Sequence, residues 1–117
     1  MDEIKIEICC GSAGDVLAAA GAGADRVELN SALFLGGLTP SLGALELART
    51  AQVELMAMVR PREGGFCYTQ EEFCTMLLDA RRLLDAGADG IVFGFLHEDG
   101  LFLFFLLLDS ETFHQIK

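Results

Sequence analysis

Two nearly identical junctions between a helix and a strand constrain the fold of this chain more than any other feature. They read GAGADRVEL at residues 21–29 and DAGADGIVF at residues 85–93. In each junction a glycine, Gly23 or Gly87, stands where helices commonly end in the left-handed conformation, and an apolar strand follows. This repeated junction predicts consecutive βα units on a parallel sheet.

Hydrophobic patterning predicts four strands and three helices. The strands are predicted over residues 3–9, 25–30, 53–59 and 89–96, and the helices over residues 12–22, 40–50 and 70–88. The longest helix carries its apolar residues on one face, namely Phe73, Met76, Leu77, Ala80, Leu83 and Leu84. Because repeated βα units build (β/α)8 barrels, we predict an α/β fold of the TIM-barrel type. Residues 1–100 would form a partial barrel of about four βα units.

Charge and hydropathy exclude two classes of partner. The chain of 117 residues has 8 basic and 18 acidic residues and a formal net charge of -10, which argues against nucleic acid and anionic membranes. The apolar run LFLFFLLL at residues 101–108 is too short for a membrane helix, which takes about 20 residues. We interpret it as a buried helix or strand within a divergent apolar tail, residues 101–117.

The cysteines and the first residues predict a compartment. No apolar leader is recognisable near Met1, so the cytoplasm is the expected location. In that reducing environment the four cysteines are expected to be free thiols.

Alternation along the strands predicts which side chains share the face turned away from the helices. Those near strand ends are Glu7, Cys9, Arg26, Glu28, Asn30, Met58 and Arg60. TIM-barrel ligand sites lie at the C-terminal ends of the strands, so this face predicts either a ligand site or a structural network of salt bridges. Glu7 and Glu28 are the candidate acid/base groups, and each would need an arginine or a metal ion as its partner.

The segment MVRPREGGFCYT, residues 58–69, predicts a site for a small anion. Arg60 and Arg62 lie at and just beyond the end of the third strand, and Gly64–Gly65 would let the backbone approach a ligand. Thr69, followed three residues later by Glu72, fits a capping box at the start of the long helix. The alternative is that the arginines stabilise the loop by pairing with Glu63 or an aspartate.

A second glycine pair, Gly36–Gly37, repeats this logic before the preceding helix. Thr39 is predicted as its N-cap and Pro40 as its first residue, with Ser41 beside them. Helix N-termini and arginines both favour phosphate or carboxylate. The predicted anion-binding residues are therefore Thr39, Ser41, Arg60 and Arg62.

Sulphur-containing side chains raise the possibility of a Cu(I) site, because Cu(I) favours thiolate and thioether ligands. Cys9 and Met58 share a strand parity, and Cys67 lies in the loop with the arginines. The alternative is that these are ordinary core residues.

Five segments together resemble the CutC family of copper homeostasis proteins, in order over about residues 4–100. They are EICC at 7–10, GADRVEL at 23–29, GGLTPSLG at 36–43, MVRPREGGFCYT at 58–69 and GADGIVFG at 87–94. The resemblance implies a cytoplasmic TIM barrel that binds copper through cysteines at strand ends. Cys9 matches the first family cysteine, whereas Asn30 stands where the second is usual.

The resemblance also implies a second half of the barrel, which opens with TFHRAFD in the family. Here TFH occurs at residues 112–114 and Gln115 replaces the arginine, so we expect an N-terminal half. Copper handling is the first predicted function. The alternatives are a TIM-barrel enzyme or sensor that binds a small anionic metabolite, and a truncated chain with no independent activity. Unpaired strand edges would permit a homo-oligomer.

Overall fold

The computed structural model describes residues 3–96 together with the backbone of residues 102–109. The elements in chain order are β1 (Glu7–Cys10), α1 (Ala13–Gly21), β2 (Arg26–Leu29), a 3-10 turn (Leu33–Leu35), α2 (Leu42–Arg49), β3 (Glu54–Met58), α3 (Gln70–Asp85), β4 (Gly90–Leu96) and β5 (Phe102–Asp109). The predicted α/β alternation is confirmed, with strand order β1-β2-β3-β4-β5 in one sheet. None of the helices in the described part of the chain is long and apolar enough to span a membrane.

Strands β1 to β4 pair in parallel, as expected for consecutive βα units. Strand β5 departs from that pattern because it runs antiparallel to β4, with Gly90 opposite Asp109 and Phe95 opposite Phe104. The apolar tail predicted over residues 101–117 thus contributes a strand along the outer edge of β4. The TFH match and Gln115 lie outside the described residues.

The hydrophobic core lies between the helices and one face of the sheet. The strands contribute Cys10, Val27, Leu29, Leu55, Ala57 and Ile91, and the helices contribute Val16, Leu45, Ala48, Met76, Ala80, Leu83 and Leu84. Val59, directly after β3, is also part of the core. The predicted assignment of strand faces is therefore confirmed for the second and third strands. On the first strand only Cys10 is buried, whereas Ile4, Ile6 and Ile8 are 89%, 56% and 40% exposed. Leu77 is a correction, because its side chain is 44% exposed. Leu77 lies three and seven residues before the buried Ala80 and Leu84, on their stripe of the helix, so its exposure depends on what α3 packs against and not on helical periodicity.

Hydroxyl side chains cap all three α-helices. The Thr69 and Glu72 side chains form the predicted capping box at the start of α3. The N-cap of α2 is Ser41, whose Oγ accepts from the Ala44 N–H at 3.0 Å, and not Thr39 as predicted. The Thr39 hydroxyl is used elsewhere, since it bonds both the N–H and the carbonyl of Arg60. Pro40 therefore precedes the N-cap instead of beginning the helix.

Candidate functional site

The parallel register arranges the face opposite the helices in rows of side chains. In the first row, Arg26 stands between Glu7 and Glu54. Its Nε donates to Glu7 Oε1 at 2.7 Å, and its Nη1 lies 3.6 Å from Glu54 Oε1. Glu7 thus has the arginine partner that the sequence predicted for it. The row holds two carboxylates and one guanidinium, and so keeps one excess negative charge.

The second row places Cys9, Glu28 and Met56 side by side. Burial raises the pKa of the Glu28 carboxyl, a hydrogen bond from Asn30 opposes that rise, and the charge of Glu7 adds to it. No arginine or lysine forms an ion pair with Glu28 within residues 3–96. Its carboxyl is therefore easier to protonate than an ordinary one, and Glu7 and Glu28 stay predictions as acid/base groups.

Asn30 connects Cys9 to Glu28 at the carboxyl end of this face. Asn30 is only 2% exposed, and its Nδ2 donates to Cys9 Sγ at 3.4 Å and to Glu28 Oε1 at 3.5 Å. Cys9 itself is exposed. Partial burial of the thiol, together with the charges of Glu28 and Glu7, raises the pKa of Cys9. The amide of residue 30 therefore contacts the thiol that the family resemblance singles out.

The glycine pair Gly36–Gly37 lets the loop between β2 and α2 pack closely against the side chains of Arg60 and Asn30. Both residues have a positive φ, 94° and 90°. A Cβ at Gly37 would lie 2.6 Å from Asn30 Oδ1, and a Cβ at Gly36 would lie 2.6 Å from Arg60 Nη1. The sequence did not predict that Gly37 packs on Asn30, because the two residues come into contact only when the loop between them folds.

Arg60 and Thr39 lock the end of β3 to the loop that precedes α2. The Thr39 Oγ1 accepts from the Arg60 N–H at 2.9 Å and donates to the Arg60 carbonyl at 3.0 Å. The Arg60 guanidinium donates to the carbonyls of Leu35 and Gly64 at 3.4 and 2.8 Å and lies over the ring of Phe66. The Arg60 guanidinium therefore holds together the loop after β2 and the loop after β3.

Arg62 holds the loop over the start of α3. Its Nε and Nη2 donate to the two carboxylate oxygens of Glu72, and its guanidinium lies over the Tyr68 ring. It also donates to the carbonyls of Glu63, Gly65 and Cys67. This is the loop-stabilising role that the sequence left open, although the acidic partner is Glu72 instead of Glu63 or an aspartate.

The Glu72 carboxylate makes the loop between β3 and α3 sensitive to acid. This loop, residues 59–69, carries Arg60 and Arg62 and is called the arginine loop below. The hydrogen bond from the Thr69 N–H and the contacts with Arg62 hold the pKa of the Glu72 carboxyl below the ordinary value of 4.5. A carboxyl whose pKa is depressed by folding stabilises the folded state above its unfolded pKa, and that contribution disappears as pH falls through the folded value. The unfolding free energy of the wild-type chain should therefore fall as the pH drops below 4.5, and Glu72→Gln should make this fall smaller. The measurement is urea unfolding at several pH values.

A matched control is Glu71→Gln, which removes the same charge from the same helical turn. Within residues 3–96 the Glu71 carboxylate forms no hydrogen bond or ion pair, and only the backbone carbonyl of Glu71 accepts a bond, from the Thr75 hydroxyl. An identical pH profile for Glu72→Gln and Glu71→Gln would contradict the role assigned to Glu72.

The loops after β1 and β2 enclose an open cleft of about 550 Å³. Its lining includes Ser12, Asn30, Thr39, Ser41 and Asp79. Two of the four predicted anion ligands, Thr39 and Ser41, thus line one cleft. The guanidinium groups of Arg60 and Arg62 instead donate to backbone carbonyls of nearby loops. The anion site formed by these four residues stays a prediction.

The predicted Cu(I) donors come from three places in the fold. Cys9 is on β1, the half-buried Met58 ends β3, and Cys67 is exposed in the arginine loop. Strands β1 and β3 are separated by β2, so their backbones lie about 10 Å apart. Within residues 3–96 no three His, Cys, Asp or Glu residues are grouped as metal ligands. The Cu(I) site with Cys9, Met58 and Cys67 as ligands therefore stays a prediction.

Comparison with known proteins identifies the family of this chain. The CutC family matches residues 4–103, which include β1 to β4 and the five motifs that carry the resemblance. The chain belongs to the CutC family. The match ends at the second residue of β5, so most of that antiparallel strand lies beyond the family similarity.

Relatives of this CutC chain are closely similar over its length. A CutC family protein from Treponema denticola is 60% identical over 101 residues, covering 86% of this chain and 41% of the relative. The Drosophila melanogaster protein named copper homeostasis protein cutC homolog is 46% identical over 99 residues, covering 83% and 38%. This chain thus spans about two-fifths of the length of these relatives.

A solved CutC structure supports the fold. The crystal structure of CutC from Streptococcus agalactiae superposes with a TM-score of 0.78 at 30% identity, covering 97% of this chain and 53% of the other. The four parallel strands of this chain therefore form part of a TIM-barrel fold.

Proposed function

We propose that this CutC chain takes part in copper homeostasis in the cytoplasm by binding Cu(I), with Cys9 as the principal ligand. The observation that carries the proposal is the exposed Cys9 thiol, which lies near the carboxyl end of β1 beside a buried Asn30 amide. The name of the Drosophila relative supports a role in copper homeostasis.

Cys9 suits this role better than its neighbour in sequence. The Cys10 side chain is 1% exposed and packs in the core beneath the helices, so it faces away from the ligand side of the sheet. Cu(I) is a soft ion that binds thiolate strongly. Binding displaces the proton of Cys9 and places the ion on the face of the sheet opposite the helices, where Met58 or Cys67 would add a second sulphur donor.

Cys9→Ser is expected to weaken Cu(I) binding by about 100-fold, or ~2.7 kcal/mol, because the replacement exchanges a soft thiolate for a hard hydroxyl. The measurement is competition against a Cu(I) chelator of known affinity, with the reduced chain. The matched control is Cys74→Ser, which removes another exposed thiol, on α3. Equal losses in the two variants would show that copper binds exposed thiols without preference.

A second readout tests whether the bound ion belongs to the folded state. A ligand that binds only the native chain raises its resistance to unfolding. One equivalent of Cu(I) should therefore shift the urea transition of the wild-type chain upward, and Cys9→Ser should remove the shift. The absence of any cooperative transition would support the alternative that this chain has no independent activity.

A further inference from the structure

The cleft of about 550 Å³ lies at the carboxyl ends of two neighbouring strands. Its lining includes Gly11 and Ser12, which follow β1 directly, and Asn30 and Ser31, which follow β2 directly. TIM-barrel ligand sites lie at the carboxyl ends of the strands. The volume also falls within the range of small-molecule sites, about 300–1,000 Å³. The cleft therefore has the position and the size of a ligand site.

Asp79 brings a carboxylate without a partner to this cleft. The residue lies on α3 and is partly buried. Within residues 3–96 its carboxyl forms no hydrogen bond and no ion pair, and burial raises its pKa. A carboxylate that is partly removed from water without a partner is unfavourable, so a hydrogen-bond donor on a ligand would stabilise it.

Asn30 offers a second acceptor. The residue is 2% exposed, and its Nδ2 donates to Cys9 Sγ and to the backbone carbonyl and Oε1 of Glu28. Its Oδ1 accepts no hydrogen bond from any residue between positions 3 and 96. Since buried amide oxygens are normally hydrogen-bonded, Oδ1 is the atom of Asn30 that remains for a ligand in the cleft.

Two serines supply hydroxyl donors to the same cleft. Ser12 and Ser41 are the N-caps of α1 and α2, and their Oγ atoms accept from the N–H groups of Asp15 and Ala44 at 3.1 and 3.0 Å. Neither hydroxyl donates a hydrogen bond to another described residue. Because a hydroxyl both accepts and donates, each serine keeps its proton for a ligand.

The charges around the cleft disfavour an anion. Within residues 3–96 the lining carries one carboxylate, that of Asp79, and no arginine or lysine. Asp15 also places a carboxylate at the N-terminus of α1, where its Oδ2 accepts from the Gly11 N–H at 3.0 Å. An anionic ligand would therefore meet like charge. An uncharged ligand with several hydroxyls matches the lining, because each of its hydroxyls can donate to one wall and accept from another.

We propose that this cleft binds a small uncharged polyol, such as an unphosphorylated sugar. Hydroxyls of the ligand donate to the carboxylate and the amide oxygen described above and accept from the two serine hydroxyls. Its carbon skeleton packs on the apolar part of the lining, which includes Ala13, Pro40 and Ala44. The site is separate from copper binding, since none of the three predicted sulphur donors is among the described residues that line the cleft.

The first test is an NMR titration of the reduced 117-residue chain. The probes are glucose, ribose and inositol, and separately a phosphate ester of each. At least one uncharged probe should shift the backbone amide signals of Ser12, Asn30 and Ser41 in a saturable manner. Its phosphate ester should bind at least about tenfold more weakly, because its charge opposes that of Asp79. The absence of saturable shifts with all three uncharged probes, or tighter binding of the esters, would overturn the proposal.

The second test replaces the carboxylate. Asp79→Asn should weaken binding of the uncharged probe at least about tenfold, since hydrogen bonds to charged groups are stronger than those between neutral groups. Asp85→Asn is the matched control, because it makes the same change at an exposed position of α3 outside the described lining. Asp79→Asn should not lower the urea midpoint, since burial disfavours the carboxylate. Unchanged affinity in Asp79→Asn would contradict the proposal.

The third test removes a hydroxyl donor. Ser41→Gly should weaken binding severalfold while α2 persists, because glycine is also accepted at an N-cap. Thr69→Gly changes the N-cap of α3 in the same way but lies outside the described lining, and should leave the affinity unchanged. Circular dichroism checks that both variants keep their helices. Equal affinities in Ser41→Gly and Thr69→Gly would show that the Ser41 hydroxyl does not contact the ligand.

Discussion

Asn30→Cys is expected to raise the affinity of the chain for Cu(I) by about 100-fold, or ~2.7 kcal/mol. The Asn30 amide nitrogen lies 3.4 Å from Cys9 Sγ, so a thiol introduced at position 30 would stand next to the existing one. Two thiolates suit Cu(I) better than one thiolate and an amide. Position 30 is also where the family resemblance places a second cysteine.

A double-mutant cycle separates this effect from nonspecific thiol binding. Asn30→Cys is measured in the wild-type chain and in the Cys9→Ser chain by the same chelator competition. The gain should occur only where Cys9 is present. An equal gain in both backgrounds would mean that position 30 binds copper without Cys9, and the proposed site would be wrong.

Gly37→Ala is expected to cost about 3 kcal/mol or more of unfolding free energy, since it combines two penalties. A side chain at a φ of 90° is strained. The new Cβ would also lie 2.6 Å from Asn30 Oδ1, which is buried and has little room to move. The measurement is urea unfolding followed by circular dichroism.

Gly23→Ala is the matched control, because it isolates the backbone penalty. Gly23 has a similar φ of 95°, but a Cβ there would meet nothing within 4 Å. It should therefore cost only about 1–2 kcal/mol. Equal losses at Gly23 and Gly37 would show that packing of Gly37 against Asn30 contributes nothing to stability.

Local signals predicted most of the fold. Gly23 and Gly87 do adopt positive φ at the two repeated junctions, and Thr69 with Glu72 forms its capping box. Strand parity placed Val27 and Leu29 under the helices. These features follow from sequence because periodicity and capping act within a few residues of one another.

Local signals failed where two residues of similar chemistry compete. Thr39 and Ser41 both suit an N-cap, and only the position of the end of β3 assigns the Thr39 hydroxyl to Arg60. Leu77 shares a helical stripe with buried residues, yet its burial depends on which neighbours α3 meets.

Sequence alone determined the family, the βα repeat and the side of the sheet on which Cys9 and Glu28 lie. Only the tertiary structure decided that Asn30 contacts Cys9, that Glu72 binds Arg62, and that β5 runs antiparallel to β4. The first two contacts join residues 21 and 10 positions apart. The physical reason is that periodicity, capping and turn preference operate over one or two helical turns, whereas such contacts form only when separate strands and loops pack together.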